Sequence, residues 1–275
     1  MFCMSSKNKT WTENIATSWG KWTPPDRPSP GEMRVYEDFL KQILSKKKKP
    51  NVMVLGSTSE FRDLYAKYKV PCTVVDYRKE NYEAMGTLMK RKKYKETLLT
   101  EDWRTMNPKQ KFDLILGDYC INVLFKKDQP EFVKNISRIL KPDGLCMIKT
   151  FVRYDSEPGD LAQALHFYRT KKKDRPILET IMAPMFKNAY DYKKEQGTFP
   201  GVWNNFVKLY KNKKMKKEEI DYFESLDLEN IPLKFYIPLF QDIIKIIEQN
   251  AGLYGVRYGG EWFSTDVPIL IMKKQ

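Results

Sequence analysis

The sequence predicts an α/β fold built on a largely parallel sheet. After residue 50, short apolar runs typical of buried strands alternate with segments whose apolar residues recur at helical spacing. The first run, 51–55, ends in Gly56 and leads into an amphipathic segment, which is the order of a strand, a turn and a helix. Such alternation indicates βαβ units. A chain of 275 residues is long enough to bury the core that this fold requires.

The elements follow one another regularly as far as residue 152. Ser29 and Glu32 form a capping box with Pro30 at the first helical position, which predicts a helix to about residue 44. We expect the helices between the strands to reach residue 68 and to cover 80–89 and 130–140. The Lys-Pro-Asp-Gly turn at 141–144 ends the last of them, because proline cannot continue a helix. The expected strands are 51–55, 72–75, 96–99, 112–116 and 145–152.

The alternation stops after the fifth strand. Residues 155–235 contain helical stretches such as 160–170 and large apolar side chains that need a core, so we expect a mostly helical insertion. The pattern resumes with a helix from Pro238 and two strands, 253–258 and 267–272. The predicted organisation is an N-terminal segment and helix at 1–50, a core at 51–154, an insertion at 155–235, and a closing helix and strand pair at 236–275.

Composition narrows the class of protein. The net charge of +14 would suit RNA, but scattered lysine runs are more typical of a solvated surface. No apolar run reaches the 18 residues of a membrane span, and residues 1–10 lack the apolar segment of a secretory signal. Cys72 and Cys146 lie inside apolar runs, as buried reduced thiols do, and His166 is the sole histidine. We therefore expect a cytoplasmic protein without a metal site or a membrane partner.

The turn after the first strand narrows the choice of cofactor. A dinucleotide needs several glycines there, so that backbone N–H groups can close on two phosphates. This turn offers Gly56 and then Ser57 and Thr58. One close approach is enough for a cofactor that has an adenosine and no phosphate, such as S-adenosylmethionine. A nicotinamide-dependent oxidoreductase is correspondingly disfavoured.

An acidic residue follows the second strand at the spacing that an adenosine requires. Asp76 lies 20 residues after Gly56, where an acid binds the ribose hydroxyls, and Tyr77 comes next. The carboxyl ends of parallel strands share one edge of the sheet, so residues that end different strands line one crevice.

The third and fourth strands end in further polar and aromatic residues. Glu101, Asp102 and Trp103 follow the third strand, where Asp102 can accept the adenine amine and Trp103 can form a wall beside the ring. Asp118 and Tyr119 follow the fourth strand, at the reactive end of the crevice. Each residue alone could be a cap or a core residue, but together they indicate a cofactor site.

Residues 51–152 resemble the core of a class I S-adenosylmethionine-dependent methyltransferase. The matching motifs are Val54-Leu55-Gly56, Asp76, Glu101-Asp102-Trp103, the Phe-Asp-Leu-Ile-Leu-Gly-Asp run at 112–118 and the Leu-Lys-Pro-Asp-Gly run at 140–144. The resemblance implies a Rossmann-like, mostly parallel seven-stranded sheet with an antiparallel last strand, and S-adenosyl-L-methionine as the cofactor. The first motif departs from the family because its second and third glycines are missing.

The N-terminal segment resembles a group of small bacterial and archaeal methyltransferases of undefined substrate. The similar stretches are Trp-Gly-Lys-Trp at 19–22 and Arg-Pro-Ser-Pro at 27–30. This resemblance implies a segment folded over the cofactor, with Trp19 or Trp22 shielding the sulfonium and Arg27 or Arg34 near the methionine carboxylate. The alternative is that the tryptophans attach the segment to the sheet.

These observations favour transfer of a methyl group to a small-molecule acceptor held under the helical insertion. Asp118 is expected to bind the methionine ammonium or to take a proton from the acceptor, and Tyr119 to line the methyl path. The insertion would roof the acceptor pocket as a lid. The side chains expected to form its walls are Tyr190, Tyr192, Trp203 and Phe206.

Two other functions stay open. A ribose 2′-O RNA methyltransferase would use a Lys-Asp-Lys-Glu set, here Asp118, Lys149 and Glu261 with Lys41. A cofactor-binding partner subunit without turnover would keep the same fold, because a fold does not fix a function. The oligomeric state is not predicted.

Overall fold

The computed structural model describes residues 18–275. Residues 1–17 lie outside the described residues. They include Cys3, the stretch predicted to lack a secretory signal, and the start of the predicted segment 1–50. The core strands are β1 (Val52–Leu55), β2 (Cys72–Asp76), β3 (Glu96–Thr100), β4 (Phe112–Asp118), β5 (Leu140–Lys149), β9 (Gly252–Arg257) and β10 (Ile269–Lys273). The helices beside them are α1 (Pro30–Lys46), α2 (Ser59–Lys67), α3 (Lys79–Gly86), α4 (Gln129–Ile139) and α9 (Phe240–Asn250).

The core strands form one sheet in the order β3-β2-β1-β4-β5-β10-β9. Strands β1 to β5 run parallel, and β10 runs antiparallel to both of its neighbours. This arrangement confirms the predicted Rossmann-like fold with an antiparallel last strand. The strand order reverses between β1 and β4, and ligands of such sheets bind outside the carboxyl ends of the strands at that point.

Helices cover both faces of the sheet, because the strands are apolar on both sides. Val52 and Val54 pack under α1 and α2, whereas Met53 and Leu55 pack under α4 and α9. The predicted capping box is present: Ser29 Oγ accepts from the Glu32 backbone N–H at 3.0 Å, and Glu32 Oε2 accepts from the Ser29 N–H at 2.7 Å. None of the helices within residues 18–275 is long and apolar enough to cross a membrane.

The turn predicted at 141–144 is part of β5. That strand begins at Leu140, immediately after α4, and its pairing with β4 is irregular near Phe112. A Cβ atom at Gly144 would lie 2.4 Å from the Phe112 carbonyl oxygen, so glycine permits this close approach.

The insertion is helical but also contains a small antiparallel sheet. Its helices are α5 (Leu161–Lys171), α6 (Ile177–Asn188), α7 (Phe199–Lys211) and α8 (Lys217–Glu224), and its strands are β6 (Tyr190–Asp191), β7 (Gln196–Thr198) and β8 (Lys234–Phe235). Strands of two or three residues leave no periodic signal, which is why the sequence did not reveal them. Trp19, Trp22 and Phe151 pack into the insertion's core, so the N-terminal segment and the insertion meet above the carboxyl edge of the sheet.

Candidate functional site

A cavity of about 260 Å³ lies at the carboxyl ends of β1 to β4, under the N-terminal segment and the insertion. Eleven of the residues that the sequence singled out for the cofactor and for catalysis line it: Trp22, Gly56, Ser57, Thr58, Asp76, Tyr77, Glu101, Asp102, Trp103, Asp118 and Tyr119. The strand ends thus bring together side chains that are up to 97 positions apart, between Trp22 and Tyr119.

Asp76 is held at the end of β2 by three donors. Its Oδ2 accepts from the Ser57 hydroxyl at 2.5 Å, and its Oδ1 accepts from Asn81 Nδ2 at 3.1 Å and from the Arg78 N–H at 3.2 Å. Burial raises the pKa of this carboxyl, and the three hydrogen bonds oppose the rise. Ser57 occupies the position after Gly56, and its hydroxyl holds the Asp76 carboxyl group that lines the cavity. A glycine at this position could not make that hydrogen bond.

Gly56 shapes the turn together with Trp103. Its φ of +78° lies in the left-handed region, and its N–H donates to the Val75 carbonyl oxygen at 2.8 Å. The Trp103 indole N–H donates to the same oxygen at 3.0 Å, and the ring lies 3.6 Å from where a Gly56 Cβ would be. Trp103 is therefore both anchored to β2 and exposed to the cavity as a flat wall.

Substitution Gly56→Ala is expected to destabilise the fold by about 1–2 kcal/mol, because an L side chain is strained at this φ. Urea denaturation followed by circular dichroism measures this loss. Gly20→Ala is the matched control, since nothing lies within 4 Å of a Cβ there. Equal midpoints for the two variants would contradict the expected strain.

Asp102 is positioned by an arginine. Arg104 Nη2 lies 2.6 Å from Asp102 Oδ2, and its Nη1 lies 2.7 Å from Asp128 Oδ2. The two carboxylates raise the pKa of the guanidinium, which stays charged. The neighbouring Glu101 also lines the cavity, and its Oε2 accepts from the Asn107 N–H at 3.1 Å. The adenine end of the predicted site thus has a fixed carboxylate beside an aromatic wall.

A buried ion cluster lies beneath the other end of the cavity. Lys149 is fully buried at the end of β5, and its Nζ is 3.1 Å from Asp118 Oδ1 and 3.5 Å from Glu32 Oε2. The same Nζ donates to the Pro25 carbonyl oxygen at 2.8 Å, and the Tyr119 hydroxyl donates to that oxygen at 2.6 Å. Lys149 therefore fastens the N-terminal segment to the sheet.

Two carboxyl groups of this region titrate near neutrality. Burial raises the pKa of Asp118 to about 7, although the attraction of Lys149 opposes the rise. Burial likewise raises the pKa of Asp26 to about 7, and the nearby Asp118 adds to the rise. Asp26 lines the cavity and was not predicted as a site residue, because nothing in the sequence around Pro25 and Arg27 shows which way its side chain points.

The roof of the cavity is apolar and differs from the predicted walls. Within the described part of the chain, Tyr190, Tyr192, Trp203 and Phe206 do not line the cavity. Phe206 instead stacks on Phe223 at 4.2 Å, inside the insertion's own core, and the prediction of these walls was wrong. The apolar residues that do line this end are Trp19, Trp22, Phe125, Phe151, Met182, Phe186, Phe199, Leu233, Phe235 and Tyr236.

Arg27 does not reach the cavity. Its Nη2 and Nε bond to Glu60 Oε1 at 2.5 and 2.8 Å, and its Nη1 donates to the Trp19 carbonyl oxygen at 3.2 Å. Neither Arg27 nor Arg34 is among the described residues that line the cavity, so the expectation that they reach it was wrong. Arg27 joins the N-terminal segment to α2. Trp19 and Trp22 line the cavity and also pack into the core of the insertion, and their shielding of the sulfonium stays a prediction.

The Lys-Asp-Lys-Glu set is not assembled around the cavity. Lys41 is half exposed and pairs with Glu37 at 3.4 Å, and Glu261 Oε1 accepts from the Gly31 N–H at 2.8 Å. Of the four residues, Asp118 alone lines the cavity within residues 18–275. Lys149 is close to Asp118 but lies beneath it, shielded from solvent.

Comparisons with known proteins bear on this site. Residues 54–148 match the family model described as "Methyltransferase domain". Among curated proteins, none matches the chain. The PH0226 protein from Pyrococcus horikoshii is 12% identical, with 94% of this chain and 98% of that chain covered and a TM-score of 0.50.

Two further solved structures cover the whole fold. One, from Rhodobacter sphaeroides, is named as a candidate Zn-dependent alcohol dehydrogenase, with 14% identity, a TM-score of 0.58 and coverage of 95% of this chain and 99% of that chain. The other is the N-methyltransferase NodS from Bradyrhizobium japonicum, with 11% identity, a TM-score of 0.48 and coverage of 96% and 99%. At such identities structural likeness shows the fold alone.

The family match covers the strands whose ends carry Gly56, Asp76, Asp102 and Asp118. The residues that match a methyltransferase domain are therefore the ones whose strand ends line the cavity. The strand order and the match at residues 54–148 together support the predicted S-adenosylmethionine-dependent methyltransferase, with S-adenosylmethionine as its cofactor.

Proposed function

We propose that the cavity holds S-adenosylmethionine along the strand ends and a small-molecule acceptor under the insertion. Asp76 would accept hydrogen bonds from the ribose hydroxyls, and Asp102 would accept one from the adenine amine. Trp103 would pack against a face of the adenine ring. Asp118, beside Lys149, would face the methionine ammonium. The observation that carries the proposal is that the acids and the aromatic wall at the strand ends line the same cavity as aromatic and aliphatic residues of the insertion.

The residues present fit such a cofactor. Asp76 keeps its side chain at the cavity surface although three donors hold it, and Gly56 lets a ligand approach the backbone at the turn. The buried Trp22 Nε1 and Tyr236 hydroxyl have no hydrogen-bond partner within residues 18–275, and both residues line the cavity. Buried polar atoms of this kind normally have a partner, so a bound ligand is the natural source of one.

The protein's contribution to the reaction is alignment and exclusion of water. The cofactor supplies a methyl group on a sulfonium, which needs no further activation. We propose that the described part of the N-terminal segment and the insertion at 155–235 act as two halves of a cover, joined where Trp22 packs edge-to-face on Phe199 with ring centroids 6.4 Å apart. Alignment of the acceptor nitrogen, oxygen or carbon with the methyl group can contribute up to roughly 7–11 kcal/mol.

The lining speaks against RNA as the acceptor. No lysine is found among the described residues of the cavity, and its one arginine, Arg104, is already paired with Asp102 and Asp128. A nucleic-acid path needs free cations along it. We therefore expect RNA binding to be electrostatic and to disappear by physiological salt, as a salt titration with a labelled transfer RNA would measure. Tight binding at several hundred millimolar salt would favour the RNA methyltransferase.

Calorimetry with S-adenosylhomocysteine tests the cofactor assignment. We expect micromolar binding to the wild-type protein and no measurable binding of NADH, because the turn at Gly56 lacks the glycines that close on a pyrophosphate. If NADH binds and S-adenosylhomocysteine does not, the proposed use of this cavity is wrong.

A further inference from the structure

Asp26 presents an unsatisfied carboxyl group to the cavity. The residue is 9% exposed, and its Oδ2 has no hydrogen-bond partner within residues 18–275. The residue follows Pro25, whose carbonyl oxygen is fixed by Lys149 and Tyr119, and its own N–H donates to the Thr23 carbonyl oxygen at 3.1 Å. The backbone on which Asp26 stands is thus rigidly placed. A buried carboxyl with a free oxygen in a ligand cavity needs a donor from the ligand.

The buried carboxyl groups around Asp26 outnumber the cations that interact with them. Asp26, Glu32 and Asp118 interact with one buried ammonium, that of Lys149. If all three carboxyl groups are ionised, two negative charges are left without a counter-charge in a site shielded from water. The cofactor carries one ammonium and one sulfonium against one carboxylate, so it offsets one of the two. A second cation would balance the site.

The cavity that Asp26 lines also has a wall suited to an apolar ligand. Phe186, Phe199 and Phe235 form an edge-to-face cluster with ring centroids 4.8–5.7 Å apart, and all three line the cavity. Rings arranged in this way accept a further aromatic ring or an aliphatic chain. The cavity therefore offers the free Asp26 oxygen together with an apolar wall.

From this placement we propose that the methyl acceptor is an apolar amine that enters as an ammonium ion, with Asp26 binding its nitrogen and taking its proton. This inference rests on the proposed function and names the acceptor class. Asp26 would be a catalytic residue, and Trp22 Nε1 and the Tyr236 hydroxyl would be further polar contacts for the same ligand.

The step balances in atoms and charge. The acceptor ammonium gives one proton to the Asp26 carboxylate, which leaves a neutral amine with a free lone pair. That lone pair forms the new N–C bond while the bond between sulfur and the methyl carbon breaks, and its electrons stay on sulfur. The products are an N-methylammonium ion, S-adenosylhomocysteine and a protonated Asp26, which returns its proton to solvent. A carboxyl with a pKa of about 7 suits this exchange at neutral pH.

The test compares 2-phenylethylamine with 2-phenylethanol, which has the same body and a neutral hydroxyl. Binding to the protein saturated with S-adenosylhomocysteine is measured by calorimetry at pH 8, and methyl transfer from S-adenosylmethionine by mass spectrometry. We expect the amine to bind at least about tenfold more tightly than the alcohol and to be N-methylated. Asp26→Asn should abolish both the preference and the transfer and leave S-adenosylhomocysteine affinity within about threefold. Asp155→Asn, on the exposed surface, is the matched control and should change neither.

The wild-type protein provides a second readout that needs no variant. The preference for the amine should grow as pH rises through about 7, because Asp26 must ionise to pair with the ammonium. The charged or titratable groups that interact with Asp26 are Lys149, Asp118, Tyr119 and Tyr222, and Asp118 also titrates near pH 7, so a flat profile in Asp26→Asn identifies the group.

Any of the following results would overturn the inference: no measurable amine binding, equal binding of amine and alcohol, a preference that survives in Asp26→Asn, and a pH-independent preference in the wild-type protein. A large loss of S-adenosylhomocysteine affinity in Asp26→Asn would also overturn it, since Asp26 would then belong to the cofactor site. Failure of the wild-type protein to bind S-adenosylhomocysteine would instead refute the proposed function.

Discussion

Asp76→Ala is expected to weaken binding of S-adenosylhomocysteine by more than about 100-fold, because two charge-assisted hydrogen bonds to the ribose hydroxyls would be lost at about 1.5–3 kcal/mol each. The carboxylate is prepared for this contact. It stays at the cavity surface against a desolvation cost that raises its pKa, and three donors fix its orientation. Calorimetry at pH 8 is the measurement, since the carboxyl should then be ionised.

A graded series separates this role from a general loss of structure. Ser57→Ala removes one donor to Asp76 and should weaken binding by about tenfold, in line with one hydrogen bond. Asp63→Ala is a matched control, because Asp63 accepts from the N–H groups of Lys90 and Arg91 away from the cavity. It should bind like the wild-type protein. Affinity of Asp76→Ala within threefold of the wild-type value would show that Asp76 does not contact the ribose.

The parts of the fold that local sequence determines were predicted correctly. The capping box at Ser29 depends on residues three positions apart, and the strands β1, β2 and β4 are apolar on both faces. Once parallel strands are predicted, the acids that end them must share an edge, which is why Asp76 and Asp118 were placed in one cavity. The assignment of roles to these residues is a proposal that the experiments above test.

The roof of the cavity depends on contacts that no local pattern reveals. Asp26 is placed because the Pro25 carbonyl oxygen meets Lys149, 124 positions later, and Tyr119, 94 positions later. In α7, Phe199 faces the cavity while Phe206 packs on Phe223, although both are apolar residues of one helix. Helical spacing shows that a face is buried but not which neighbour buries it. For that reason the predicted walls of the acceptor pocket were wrong, whereas the residues predicted at the strand ends do line the cavity.

Lys149→Met is expected to lower the free energy of unfolding by about 3–5 kcal/mol at pH 8, because it leaves buried carboxylates without their counter-charge. Lys149 is fully buried and its Nζ contacts Asp118, Glu32 and the Pro25 carbonyl oxygen. The carboxyl pKa values already lie above those of the unfolded chain, and loss of the ammonium would raise them further. Such groups favour folding below their unfolded pKa and lose that contribution as pH rises through the folded pKa. The loss in free energy of unfolding caused by Lys149→Met should therefore be smaller at pH 5 than at pH 8.

Lys47→Met is the matched control for this experiment, since Lys47 pairs with the buried Asp113 at 2.6 Å but is itself 39% exposed. Asp113 also keeps Lys141 at 2.6 Å, so the loss should be below about 1 kcal/mol and similar at both pH values. Urea denaturation at pH 5 and pH 8 measures both variants. If Lys149 were a catalytic lysine of an RNA methyltransferase, its replacement would abolish turnover with little change in stability. A loss near 3 kcal/mol that halves at pH 5 would show instead that Lys149 holds the N-terminal segment over the cofactor.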